Sequence, residues 1–141
     1  MKRIITLLML SGFIAVGLLS CSKETVDSAG RDVALNIIRT GVWEKATKTV
    51  SGNTDAGLNI TTQLLDDDQT MNFDKDGRAW VKTEGATTQT SYSYSMPTNR
   101  KMIFDGTEYS IEESIVQSIT TLTLINVTGP VRTQLVIKRK R

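Results

Sequence analysis

Between Val42 and Ile137 apolar side chains recur at every second position: Leu58-Ile60-Thr62-Leu64, Met71-Phe73, Tyr92-Tyr94-Met96, Met102-Phe104, Tyr109-Ile111, Leu122-Leu124 and Leu135-Ile137. A period of two places successive side chains on opposite faces of an extended chain, the pattern of half-buried β-strands. Turn-forming pairs punctuate the runs: Gly52-Asn53, Asp76-Gly77, Thr98-Asn99, Asp105-Gly106 and Gly129-Pro130. The pattern predicts about nine strands, over 42–50, 58–65, 69–74, 78–84, 89–96, 100–104, 107–112, 118–127 and 131–139. Short links without helical spacers pair neighbouring strands as antiparallel hairpins. A meander of that length leaves two adhesive edges unless it closes. The expected fold is therefore all-β: a small antiparallel up-and-down β-barrel of about eight or nine strands. Closure of last strand on first requires an even count, so either one of the nine segments is not a strand or one strand lies outside the closed set. The link around Asp66–Asp68 and the short 100–104 run are the two suspects.

Upstream the period changes. Val33, Ala34, Ile37 and Ile38 make a helical stripe within 31–40, with Gly41 at the stop position. One short helix should precede the barrel. Residues 22–30 (SKETVDSAG) are polar and lack aromatics, so they read as a flexible tether. Met1–Ser20 carries Lys2 and Arg3, a 16-residue apolar run from Ile4 to Leu19, and a small residue. That is the layout of a secretory signal, and the run is short for a membrane span. Leu18-Leu19-Ser20-Cys21 resembles the bacterial lipobox. The resemblance implies cleavage before Cys21 and acylation of that cysteine, with two or three chains anchoring stably at about 0.8 kcal/mol per buried methylene. Ser22 after the cysteine is similar to lipoproteins sent to the outer membrane. The expected organisation is a signal peptide over 1–20, a lipidated Cys21 and tether over 21–30, and one barrel domain over 31–141.

Composition narrows the chemistry. The chain has 17 Lys+Arg, 15 Asp+Glu and no His. Loss of Lys2 and Arg3 with the leader brings the balance to 15 against 15, a poor match to nucleic acid. Absence of His removes Ser-His-Asp and Cys-His catalysis and His-ligated zinc. A single Cys removes intrachain disulfides and CxxC motifs.

Gly41-Val42-Trp43, opening the first strand after a short helix, resembles the Gly-x-Trp signature of lipocalins. The order of three further motifs is similar to short lipocalin-like domains in lipoproteins of Bacteroidetes-type bacteria: Phe73-Asp74-Lys75-Asp76-Gly77, Tyr92-Ser93-Tyr94, and Asp105-Gly106 running to Tyr109 and Ile111. The resemblance covers roughly residues 31–139 and implies a structural Trp43 with a basic residue of the last strand across it. Parity supplies Arg139 for that role, since Leu135, Ile137 and Arg139 share one face.

Trp80, Tyr92, Tyr94, Phe104 and Tyr109 are the candidates to line a pocket for an apolar or sugar ligand; the alternative, and the commoner role of such rings, is the core of a small barrel that has few other large side chains. Residues 72–77 approach an EF-hand loop, but position 12 is Thr83 rather than Glu, so an Asp-Gly hairpin is expected and no metal. Asp66–Asp68 reads as a solvated link, and Lys138–Arg141 as a solvated terminus. No carboxylate pair stands out for acid–base work, so neither an enzyme nor a cofactor is expected. Two functions remain: an envelope lipoprotein whose barrel holds a small apolar ligand or serves as an accessory subunit, or a protein–protein module with a filled barrel. An apolar cavity of about 300 Å³ or more separates them.

Overall fold

The computed structural model describes residues 23–141, with side chains from Ser28 onward; the signal peptide expected over 1–20 and Cys21 lie outside the described residues. Helix α1 (Lys23–Arg39) is followed by β1 (Trp43–Ser51), β2 (Thr61–Gln63), β3 (Gln69–Phe73), β4 (Arg78–Thr83) and β5 (Gln89–Thr98). Then come β6 (Lys101–Phe104), β7 (Thr107–Ile111), β8 (Thr121–Thr128) and β9 (Val131–Arg139). All pairings are antiparallel, and β9 returns to pair with β1, which closes the sheet into an up-and-down barrel.

The odd strand is β2. Both β2 and β3 lie along the same edge of β1. Thr47 faces Gln63, so an unbroken strand would bring residue 67 opposite Trp43. Met71 stands there instead, four residues further on. The chain bulges outward over Asp66–Asp68, all exposed, and the closed set has eight strands with β2 as an extra. The suspected link is thus the site of the irregularity, whereas the 100–104 run forms a regular barrel strand, β6.

Helix α1 corrects one expectation: residues 23–30, read as a flexible tether, continue the helix. Once the Val33–Ile38 turns are nucleated and docked, each further residue adds a backbone hydrogen bond, and polar residues ride along. Ala34 and Ile38 are buried in the barrel core, so α1 covers the end of the barrel where β1 begins and β9 finishes. Elsewhere boundaries tighten. The 58–65 run shrinks to β2 because Asp55 caps a 3-10 turn over Ala56–Leu58 by accepting the Gly57 N–H. The β6–β7 hairpin has Asp105 at φ 49° and Gly106 at φ 78°, the left-handed pair that a two-residue turn of matching twist requires.

A bulge between Trp43 and Lys45 resets the parity of β1, so Trp43 and Ala46 both face inward. Pro97 lies within a second irregularity, between Ser95 and Thr98, where the missing N–H costs no ladder bond. Trp43, Met71, Met102, Leu122, Leu124, Leu135 and Ile137 are fully buried. Each such side chain contributes about 1.5–3 kcal/mol by leaving water. Ile115, from the β7–β8 link, is also buried.

Candidate functional site

At the helix-covered end, the expected signature residues come together. Gly41 lies between α1 and β1, and the Ile38 carbonyl at the end of α1 accepts both the Gly41 N–H at 3.3 Å and Trp43 Nε1 at 3.1 Å. Arg139 Cζ lies 6.0 Å from the Trp43 ring centroid, and its Nη1 donates to Ser118 Oγ at 2.7 Å. A Cβ on Gly41 would stand 3.0 Å from Trp43 Nε1 and 3.1 Å from Arg139 Nε, so any side chain there would push the indole or the guanidinium aside by a few tenths of an ångström. Lys140 N–H donates to the Val42 carbonyl at 2.7 Å, so the basic terminus is tied down through that residue rather than frayed. These groups close the floor of the barrel over the fully buried Trp43.

Sequence reasoning missed Arg39. Its Nε donates to Tyr94 Oη at 2.8 Å and to the Asp74 carbonyl at 3.1 Å, and Tyr94 Oη donates to the same carbonyl. Asp74 Oδ1 accepts the backbone N–H groups of Asp76 and Arg78, each at 2.9 Å, and Oδ2 accepts Trp80 Nε1 at 2.7 Å. The Arg78 and Trp80 bonds, with smaller help from Asp76 and Arg39, hold the Asp74 carboxyl below its ordinary range. The 72–77 segment is accordingly the end of β3 and the β3–β4 hairpin tip at 74–77, with that carboxylate turned onto its own loop. The only hint of Arg39 in the sequence was a cation in the last turn of a helix.

The five aromatic candidates divide. Trp80 alternates with buried Ala79 and Val81 and bonds Asp74, so it lies on the outer face and lines no interior space. Tyr94 is buried and its hydroxyl is engaged at the helix end. Tyr92, Phe104 and Tyr109 do meet, at the opposite, open end. With Lys48, Leu64, Asp105, Thr107 and Leu135 they line a pocket of about 60 Å³. Burial, and secondarily the charge of Asp105, pushes the Tyr92 phenol up. Burial does the same for Tyr109, against a hydrogen bond from Thr107. The rings below fill the barrel: Phe73 packs edge-on to Trp43 at 6.2 Å and to Tyr94 at 4.9 Å, and Tyr92 meets Phe104 at 5.2 Å.

Larger hollows lie on the outside. One groove of about 370 Å³ runs between α1 and the β5–β6 and β7–β8 links, lined by Val33, Asn99, Arg100, Ile115 and Val116 among others. Another of about 570 Å³ separates α1 from the β3–β4 hairpin, beside Leu35, Arg39, Phe73 and Lys75. Among the described residues no group of three or more Cys, Asp or Glu is placed to hold a metal ion. No family model, curated protein or solved structure matches this chain.

Proposed function

We propose that this chain is a non-enzymatic envelope lipoprotein, anchored through Cys21 in the outer membrane, whose filled barrel is a rigid scaffold for binding another protein. The observation that carries this reading is the size of the barrel mouth. About 60 Å³ between Tyr92, Phe104 and Tyr109 holds about two waters, whereas small-molecule sites span about 300–1,000 Å³. Two features support it further. Side chains that could greet a ligand, Tyr94 and Trp80, are committed to Arg39 and Asp74. Two hollows larger than the barrel mouth and several exposed apolar side chains, Val33, Leu58, Ile60 and Val116, lie on the outer surface.

A small-ligand carrier is the second reading, favoured by the three aromatic rings at the mouth. Titration with a long-chain fatty acid, followed by tryptophan fluorescence, separates the two. The scaffold reading expects no saturable change. Saturable one-to-one binding that Leu135→Phe abolishes would establish the carrier reading. The anchor is tested by fractionation: Cys21→Ala should release the chain from the membrane and remove its acyl mass.

A further inference from the structure

The bulge that sets β2 apart also leaves the barrel wall with an open edge. Because β3 pairs with β4 only as far as Gln69 and Thr83, and the β4–β5 turn follows at Gly85, β4 never extends alongside β2. Among the described residues β2 pairs with β1 alone. Its polarity follows from the hydrogen bonds that flank it: Val50 N–H donates to the Ile60 carbonyl and Leu64 N–H to the Ala46 carbonyl. Ile60, Thr62 and Leu64 therefore turn their backbone groups toward β1, and Thr61 and Gln63 turn theirs outward, away from any neighbouring strand. Every residue of β2 is exposed, as are Leu58 at 57% and Ile60 at 52%.

Edge strands are ordinarily blunted by charge, proline or a covering loop. Leu58-Asn59-Ile60-Thr61-Thr62-Gln63-Leu64 has none of the first two, and its backbone is open. Charge gathers at the two ends instead: Asp55 before the segment, and Asp66, Asp67 and Asp68 after it, with Glu84 N–H bonded to the Asp68 carbonyl. Among the described residues none of these five carboxylates takes part in an ion pair.

We infer that β2 is a docking edge for an extended segment of a partner protein, neutral at its centre and carrying Lys or Arg at both ends. Main-chain bonds to Thr61 and Gln63 would add it as a strand in the notch beside β4, with Leu58 and Ile60 contacting its apolar side chains. Its basic ends would meet the acidic flanks, which steer its approach and fix its register. The notch lies at the end of the barrel opposite the one that α1 covers. This inference rests on the scaffold reading and specifies the surface it uses.

The test uses residues 23–141 with a probe peptide of alternating threonine and valine flanked by lysines, followed by fluorescence anisotropy and amide hydrogen exchange. Peptide binding should slow exchange at Thr61 and Gln63 and weaken as salt rises. Gln63→Pro removes an outward donor without touching a β1–β2 bond and should weaken binding about tenfold. Joint replacement of Asp66, Asp67 and Asp68 by Asn should also weaken it, without change in fold. Absence of binding overturns the proposal, as does binding that leaves Thr61 and Gln63 unprotected. Protection of both amides without peptide, growing with protein concentration, would assign the edge to a second copy and overturn it too. Peptide binding at β2 would survive even if the barrel proved to carry a fatty acid, so the two readings fail separately.

Discussion

Trp43 and Arg139 face each other across the β1–β9 ladder, and the guanidinium carbon lies 6.0 Å from the indole centroid. The pair closes the barrel at the seam where first and last strands meet. Gly41 permits it, because a methyl there would press on both side chains at 3.0–3.1 Å. Gly41→Ala should lower stability by about 1–3 kcal/mol through overpacking, read as a reduced urea midpoint at unchanged slope. Arg139→Ala should cost about 0.5–2 kcal/mol through lost stacking and stem packing, with Arg139→Lys falling between. A neutral Gly41→Ala would mean that this floor is looser than described.

Tyr94 joins three elements through one hydroxyl: its own strand, Arg39 of α1 and the carbonyl of Asp74. Tyr94→Phe keeps the ring packed on Phe73 and removes only that junction. The loss should be about 1–2 kcal/mol, and amide exchange should quicken first in the last turn of α1. Uniform acceleration across the barrel would contradict a local role.

Acid should unpick the β3–β4 hairpin through Asp74. Its folded carboxyl titrates below the ordinary 3.8, chiefly because of the Arg78 N–H and Trp80 Nε1 bonds. The folded state thus binds fewer protons than the unfolded chain near that pH. The stabilisation is present above the ordinary value and is lost as pH falls through the folded one. Asp74→Asn should flatten the loss of stability as the pH falls below about 4; unchanged acid sensitivity would assign it to other carboxylates.

Alkali acts on the opposite groups. Burial raises the phenols of Tyr92, Tyr94 and Tyr109 above 10.0. Their neutral forms favour the folded state, so the contribution is whole below pH 10 and declines as pH rises through the folded values. Tyrosinate absorbance should therefore appear late and together with unfolding. Ordinary titration of all three in the folded protein would show them to be solvated.

Much of the barrel was legible because alternation and turn chemistry agree along the chain, as at Phe104-Asp105-Gly106, where an inward ring precedes the two residues that a tight turn requires. Parity alone brought Arg139 to the inner face. What escaped reading depended on contacts between distant segments. Trp80 shares strand spacing with the other aromatics, and only its register, one position off Ala79 and Val81, puts it outside. Arg39 carries no signal in the sequence beyond a cation near a helix end; its partners Tyr94 and Asp74 come to it from more than thirty residues away. The segment 23–30 has too few apolar residues, Val26 and Ala29 among polar ones, to announce a helix by itself, and it extends the one nucleated by the stripe that follows. The offset of β2 from β3 could be suspected from strand parity, but its size is set by where Met71 meets Trp43.

The central claim is that a membrane-anchored, filled barrel works through its surface. Native mass spectrometry of the intact protein, extracted from its own membrane in mild detergent, addresses it most directly. The account predicts the mass of the chain from Cys21 onward plus its acyl groups, alone or with a protein partner, and without a retained small molecule. A stoichiometric apolar compound that leaves only when the barrel unfolds would contradict it.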